Sequence, residues 1–304
     1  MDGAPEPDEP LRSAAPVEPD WRRTWVDDRP ALYGVLGEGL PVVFLHGWGV
    51  GLRTYRQAIA RLVERGCRVY APNLPGFGRT PELPGRSRNF AGYADWVAGF
   101  CDAVHLEEKV FLVGHSFGGG VAVKVAHRHP ERVRTLVLVN SVGGSAWSTG
   151  GGLRSITERP LWDWGIHFPN DIWPIPQATR VLPVVLQEAV PNLVRNPRAV
   201  WRVGQLARRA DLTPELEELK RRGLPVVVLW GARDGVIPRS SFDAMCAALG
   251  SDGEVVDGSH SWLLADPDRF GEVITNHIEV AKVARELESR PPRRRALDRL
   301  TRRV

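Results

Sequence analysis

The sequence VFLVGHSFGGGVAVKVAHRH, residues 110–129, carries the clearest signals of the fold. The unbroken apolar run at its start predicts a strand buried on both faces of a parallel sheet. Apolar residues then recur at helical spacing, which predicts that a helix follows at once. Between the two lies the pattern G-x-S-x-G, residues 114–118. A serine at so sharp a turn is strained and carries an exposed hydroxyl, so Ser116 is a candidate nucleophile.

Composition places the 304-residue chain among globular proteins. Of its residues, 43% are hydrophobic, and no run reaches the roughly 18 apolar residues of a membrane span. The first twenty residues, MDGAPEPDEPLRSAAPVEPD, are acidic and proline-rich and lack the apolar centre of a secretory signal. They predict a disordered leader, and we expect a cytoplasmic protein.

The residue types that bind metals and nucleic acids do not cluster. Cys67, Cys101 and Cys246 lie far apart among apolar neighbours, which predicts buried free thiols and fits a reducing compartment. The sequence has no C-x-x-C or Cys/His cluster, so we expect no metal or other cofactor. The formal net charge is only +4 and arginines are spread along the chain, so no nucleic-acid partner is predicted.

A second predicted buried strand, PVVFL, is followed at once by HGWG, residues 46–49. An H-G-x-G pattern after a strand resembles the oxyanion loop of the α/β-hydrolases. In that family a backbone N–H of this loop and another just after the nucleophile bind the negative oxygen. The resemblance therefore assigns the two donors to the amides of Trp48 and Phe117.

An acid and a histidine follow the serine in the chain order that the same family uses. Asp234 comes after a predicted strand at Pro225–Trp230, and His260 comes after another at Glu254–Val256. Reactive groups of open α/β sheets collect at the carboxyl ends of the strands. A neutral imidazole takes the proton of a serine hydroxyl, and a carboxylate orients and stabilises the imidazolium. The resemblance thus implies a triad of Ser116, Asp234 and His260.

Two other residues compete for the role of the acid. Asp257 is closer to His260 in sequence, but its place at the edge of a turn favours capping or exposure to solvent. Asn140 ends the strand after the serine, where some relatives carry their acid, but an amide stabilises an imidazolium less well than a carboxylate. We therefore predict Asp234 as the acid, and we interpret His115 as a packing residue of the turn.

The resemblance to the α/β-hydrolase fold family covers about residues 25–286. It implies an α/β fold with a mostly parallel, doubly wound sheet, an inserted and mainly helical cap, and esterase- or lipase-like serine chemistry. The turn NLPGFGRT departs from the family's D-x-P-G-x-G-x-S, because Asn73 and Thr80 replace Asp and Ser. This departure affects a local carboxylate contact and not the fold.

The predicted elements divide the chain into a leader at 1–20, a first core part at 21–142, a cap at 143–212, a second core part at 213–286 and a basic tail at 287–304. The cap is predicted because the alternation of strands and helices stops at Gly143, and a long unstructured loop is improbable in a compact domain. A helix with Thr213 as its N-cap leads back to the core, and the last helix is expected to fray from Arg285. The cap residues expected to line the substrate pocket are Trp162, Trp164, Phe168 and Trp173.

These motifs predict a serine hydrolase that cleaves a hydrophobic carboxylic ester or thioester through an acyl-enzyme. Ser116 argues against epoxide hydrolases and haloalkane dehalogenases of this fold, which carry Asp at this position. A carbon–carbon bond hydrolase of the meta-cleavage type is an alternative. Those enzymes usually carry Asn before the serine and Trp directly after the histidine, where this chain has His115 and Ser261. A ligand-binding receptor that keeps the pocket without turnover is the non-enzyme alternative.

The tail from Arg290, RPPRRRALDRLTRRV, combines arginines with Leu297, Leu300 and Val304 at helical spacing. Such a segment can hold a protein weakly on an anionic membrane, at about 1 kcal/mol per basic residue near the surface. A solvated end is the alternative. Peripheral membrane contact and a small hydrophobic ester-like substrate are thus the partners that the sequence suggests.

Overall fold

A computed structural model describes the backbone of residues 18–144 and 175–289. It describes the environment of the side chains for residues 18–144 and 182–288. Eight strands lie in this part of the chain: β1 Asp20–Val26, β2 Arg29–Leu36, β3 Leu40–Leu45, β4 Cys67–Pro72, β5 Val110–His115, β6 Val133–Val139, β7 Val226–Gly231 and β8 Glu254–Val256. They form one sheet in the order β1-β2-β4-β3-β5-β6-β7-β8.

The helices in the same part of the chain are α1 Arg56–Glu64, α2 Phe90–Ala103, α3 Phe117–Arg128, α4 Ile175–Arg195, α5 Pro197–Arg208, α6 Thr213–Arg221, α7 Arg239–Leu249, α8 Trp262–Ala265 and α9 Pro267–Ser289. A short 3₁₀ turn at Leu52–Tyr55 precedes α1. The chain thus enters its first helix through this tighter turn and becomes α-helical only at Arg56.

The sheet is parallel from β4 to β8, and only β1 and β2 at one edge run antiparallel to their neighbours. Strands β3, β5 and β6 are buried along their whole length, as apolar runs with helices on both faces require. One apolar core packs α2, α3, α6 and α7 on one face, and a second packs α1, α8 and α9 on the other. The prediction of a doubly wound, mostly parallel α/β sheet is confirmed.

Between β6 and β7 the described chain is helical, because α4, α5 and α6 occupy this interval. Helix α4 packs against the turn at Leu52–Tyr55 and against α8, so it lies over the carboxyl ends of the strands. The inserted helical segment of the predicted fold is therefore present here. The four predicted pocket residues Trp162, Trp164, Phe168 and Trp173 lie outside the described residues, as do the leader up to residue 17 and the tail from Arg290.

Two predictions about helix ends are wrong. Thr213 is the first residue of α6 rather than its cap, and its buried hydroxyl has no hydrogen-bond partner among the described residues. Asp211 accepts from the Thr213 backbone N–H at 3.2 Å, so this carboxylate satisfies the helix start instead. Helix α9 does not fray at Arg285, because that guanidinium donates two hydrogen bonds to Glu108 and one to the carbonyl of Gly39.

None of the helices within residues 18–144 and 175–289 is long and apolar enough to cross a membrane.

Candidate active site

Ser116 lies at the turn from β5 into α3, where the backbone is strained. Its φ and ψ angles are +54° and −118°, a combination that side chains disfavour. The neighbouring glycines allow it, because a Cβ on Gly114 would overlap the backbone of Gly118, and a Cβ on Gly118 would overlap the carbonyl of Leu45. The glycines of the G-x-S-x-G pattern are thus required by close packing of β3, β5 and α3.

His260 connects Ser116 to Asp234. Its Nε2 lies 3.0 Å from Oγ of Ser116, and its Nδ1 lies 2.9 Å from Oδ2 of Asp234. All three residues are buried, with 6–9% of their surface exposed. Because a carboxylate oxygen accepts, Nδ1 donates to Asp234, and the lone pair of Nε2 faces the serine hydroxyl. The imidazole is therefore in the tautomer that accepts the serine proton.

Four donors converge on the carboxylate of Asp234. The backbone N–H groups of Val236 and Ile237 donate to Oδ1 at 2.7 and 2.8 Å. His260 and the side-chain amide of Asn140, at 2.6 Å, donate to Oδ2. Both carboxylate oxygens are thus satisfied, and the direction of the carboxylate is fixed toward the imidazole.

Asn140 is a positioning residue for Asp234 rather than a rival acid. The indole Nε1 of Trp262 donates to Oδ1 of Asn140 at 2.8 Å, and since an indole only donates, the amide turns its NH₂ group to Asp234. Asn140 has φ of +44°, a left-handed conformation that Asn adopts more readily than most residues. The sequence placed Asn140 at the right strand end but gave no sign of the contact with Trp262.

Asp257 takes no part in this cluster. Its side chain is 81% exposed and forms an ion pair with Arg233 at the surface.

His115 supports the same cluster from behind. Its Nε2 contacts the backbone carbonyl of His260 at 2.9 Å and therefore donates, while its Nδ1 accepts from the hydroxyl of Tyr55 at 2.7 Å. That hydroxyl in turn accepts from the N–H of Gly47 at 3.0 Å. Burial, followed by the neighbouring His260, lowers the pKa of His115 to about 3. The ring is therefore a neutral link between β3, β5 and His260, a role that the sequence did not indicate.

The HGWG loop lies directly beside Ser116. A Cβ on Gly47 would stand 3.4 Å from the Cβ of Ser116, which shows how closely the two backbones approach. Trp48 and Ser116 line the same cavity, and Phe117 is the first residue of α3, whose N–H has no partner inside the helix. His46 holds the loop start, since its Nε2 accepts from the N–H of Leu74 at 2.8 Å. Both predicted oxyanion donors thus flank the serine.

The amide of Asn73 makes one contact that an aspartate could not. Its Oδ1 accepts from the N–H of Leu52 at 3.1 Å, and its Nδ2 donates to the carbonyl of Gly78 at 3.2 Å. A carboxylate has no proton for the second contact. The departure from the family pattern therefore adds a hydrogen bond within the residue 73–80 turn, whereas an aspartate oxygen could also accept from Leu52.

The cavity over Ser116 is lined mainly by apolar and aromatic groups. Its described lining residues are Gly47, Trp48, Val50, Tyr55, His115, Ser116, Val185, Val236, His260, Ser261 and Leu264. Among them there is no Asp, Glu, Lys or Arg. Apart from its histidines, the described wall therefore offers no charge to bind a charged substrate.

Among residues 18–144 and 175–289, no group of His, Cys, Asp and Glu side chains has the arrangement of a metal site. Cys67, Cys101 and Cys246 are free and buried. Burial raises the pKa of the Cys67 thiol to about 11 and that of Cys101 to about 12, which makes both thiols poor nucleophiles.

A family profile described as the alpha/beta hydrolase fold matches residues 41–166. This match contains the HGWG loop and the G-x-S-x-G turn.

Three proteins whose names denote different activities resemble the chain. A putative non-heme haloperoxidase of Mycobacterium phage D29 is 29% identical over 79% of this chain and 87% of its own. A pimeloyl-[acyl-carrier protein] methyl ester esterase of Aeromonas hydrophila is 26% identical over 80% of this chain and 96% of its own. A 2-hydroxymuconate semialdehyde hydrolase of Pseudomonas sp. is 39% identical, but only over 36% of this chain and 39% of its own.

Solved structures share the fold. An esterase from Exiguobacterium antarcticum superimposes with a TM-score of 0.68 at 20% identity, over 84% of this chain and 98% of that one.

Proposed function

We propose that this chain is a serine hydrolase that cleaves hydrophobic carboxylic esters or thioesters. It belongs to the α/β-hydrolase fold family and is a hydrolase of that fold. The observation that carries the proposal is the hydrogen-bonded row from Ser116 through His260 to Asp234, set on a strained turn. Nucleophile, base and orienting acid in hydrogen-bond reach are the geometry that acyl transfer needs.

In this mechanism Oγ of Ser116 attacks the carbonyl carbon of the ester while Nε2 of His260 takes the hydroxyl proton. The carbonyl oxygen becomes an oxyanion, which accepts hydrogen bonds from the backbone N–H groups of Trp48 and Phe117. Collapse of the adduct breaks the bond to the leaving alcohol or thiol, which receives the proton from His260. Water then attacks the acyl-enzyme by the same route, so the acid is released and Ser116 regains its proton.

The apolar wall of the cavity supports an uncharged, hydrophobic substrate. Val185, Val236 and Leu264 flank the serine, and each buried methylene contributes roughly 0.8 kcal/mol of binding. The catalytic efficiency should therefore rise with acyl length until the pocket is full and then fall.

A series of p-nitrophenyl esters from acetate to octanoate tests this proposal, with the wild type and Ser116→Ala compared under one condition. We expect kcat/KM to rise and then fall along the series and to vanish in the variant. A flat or falling series, or a preference for a succinate half-ester over butyrate, would show that the pocket is not an apolar acyl site.

Carbon–carbon bond hydrolysis is the second candidate, because part of the chain is 39% identical to a 2-hydroxymuconate semialdehyde hydrolase. His115 and Ser261 differ from the Asn and Trp usual in such enzymes, and both residues contact or line the site. Loss of the dienol absorbance of a 2-hydroxy-6-oxo-dienoate, faster than ester cleavage at equal concentration, would favour this candidate.

A further inference from the structure

Three side chains on one face of the cap helix α4 point at the active site and at the loop beside it. Val185, Glu188 and Asn192 are spaced by three and four residues, which places them on the same side of a helix. Val185 is buried and lines the cavity over Ser116. Glu188 and Asn192 contact residues 49–54, which continue the HGWG loop.

Glu188 gathers four donors from the start of the 3₁₀ turn. Its Oε2 accepts from the N–H of Gly51 at 2.9 Å and from the N–H and hydroxyl of Thr54 at 3.0 and 2.7 Å. Its Oε1 accepts from the N–H of Arg53 at 3.3 Å. One cap carboxylate thus satisfies backbone donors that the short turn cannot satisfy itself. A Cβ on Gly51 would stand 2.8 Å from Oε1, so the carboxylate packs directly on this backbone.

Asn192, one turn further along α4, holds the other side of the loop. Its Nδ2 donates to the carbonyl of Gly49 at 3.0 Å, and its Oδ1 accepts from the N–H of Gly78 at 3.0 Å. The indole Nε1 of Trp48 donates to the carbonyl of Val200 in α5 at 2.7 Å. The loop is therefore fastened to the cap at residues 48, 49, 51, 53 and 54.

The loop depends on these contacts because its own backbone is permissive. It carries glycines at 47, 49 and 51, and Gly49 has φ of +80°. Glycine restricts the backbone least, so a loop with three glycines samples several conformations unless its surroundings select one. An oxyanion donor is effective only when its N–H is already aimed at the developing charge.

We infer that Glu188 is a positioning residue that fastens the oxyanion loop to the cap. The loop then has its catalytic conformation only when the cap is in place over the site. This inference rests on the proposed function. Its consequence is that loss of the carboxylate lowers the rate of acylation of Ser116 even for substrates too small to need the cap. The amide of Glu188→Gln keeps the size but turns an NH₂ group against N–H donors.

The test compares the wild type, Glu188→Gln and Glu188→Asp with p-nitrophenyl acetate and with a phosphonate that labels serine nucleophiles. We expect Glu188→Gln to lower kcat and the labelling rate of Ser116 by about 10- to 100-fold with KM close to the wild-type value, as a small misplacement of a reacting group does. Glu188→Asp should recover part of the loss.

Arg202→Met is the matched control. Arg202 forms a bidentate ion pair from α5 to Glu82, so it also joins cap and core, but this pair includes no residue of the 46–55 loop. Thr54→Val removes the hydroxyl that donates to Glu188 and changes no residue of the cap. Its loss in kcat should not add to that of Glu188→Gln, because both break the same contact. The loss from Arg202→Met should be smaller than that from Glu188→Gln and should add to it.

Equal kcat in Glu188→Gln and Arg202→Met, or additive losses with Thr54→Val, would overturn the inference. Neither outcome affects the proposed function. A wild type that neither cleaves the ester nor reacts with the phosphonate overturns the proposed function instead, and this positioning role with it.

Discussion

The carboxylates of Asp234 and Asp257 differ in burial and in hydrogen bonding, and both differences favour Asp234 as the acid of the triad. A carboxylate that is completely buried and bound by four donors is held in one direction, whereas an exposed ion pair such as Asp257 with Arg233 is free to rearrange. Asp234→Asn should lower kcat by about 10⁴-fold, because the imidazole loses the partner that selects its tautomer. Asp257→Asn should leave kcat unchanged. Steady-state kinetics of the two variants decide between them, and the reverse order of losses would move the acid to Asp257.

Burial of His115 predicts a pH-dependent stability. Its pKa is lowered to about 3 in the folded chain from an ordinary value of 6.5. Between these two values the unfolded chain binds the proton and the folded chain does not. The free energy of unfolding should therefore fall as the pH falls below about 6.5, with a contribution of about 1.4 kcal/mol per pH unit from this residue.

Urea denaturation at pH 7 and pH 5 measures this contribution, with His115→Gln as the comparison. The Gln side chain keeps a donor for the carbonyl of His260 and cannot titrate. The variant should lose less stability than the wild type between the two pH values. An identical loss in both proteins would show that His115 is protonated in the folded state.

The turn from β5 to α3 depends on glycine at 118. A Cβ there would overlap the carbonyl oxygens of Leu45 and His46, which are backbone atoms at the end of β3. Gly118→Ala should lower both the melting temperature and kcat, because β3 and α3 must separate. Gly85→Ala is the matched control, since nothing lies within 4 Å of its added Cβ. Thermal melts of the two variants test this, and equal melting temperatures would contradict the packing.

The strands and the order of the motifs could be predicted from sequence because both are local signals. Buried parallel strands such as β3, β5 and β6 appear as apolar runs, and the HGWG loop, Ser116 and Asn140 follow these three strands. The sequence does not show that the start of α6 is bound by Asp211 rather than capped by Thr213. Asp and Thr are both common helix caps, and the choice between them depends on local backbone geometry.

The contacts that position the site could not be predicted, because they join residues far apart in sequence. Asn140 is 94 residues from Asp234 and 122 from Trp262, and Glu188 is 137 from Gly51. Their side chains are ordinary in composition and carry no motif. Only the folded chain brings them together.

If the proposed mechanism is right, the whole protein hydrolyses its substrate through an acyl group on Ser116. The direct measurement is rapid acid quench of the protein with p-nitrophenyl butyrate, followed by mass spectrometry of the peptide that contains Ser116. We expect a burst of nitrophenolate of about one equivalent and a butyryl group on Ser116, with neither in Ser116→Ala. Steady turnover that continues in Ser116→Ala, or turnover with the acyl group on another residue, would contradict it.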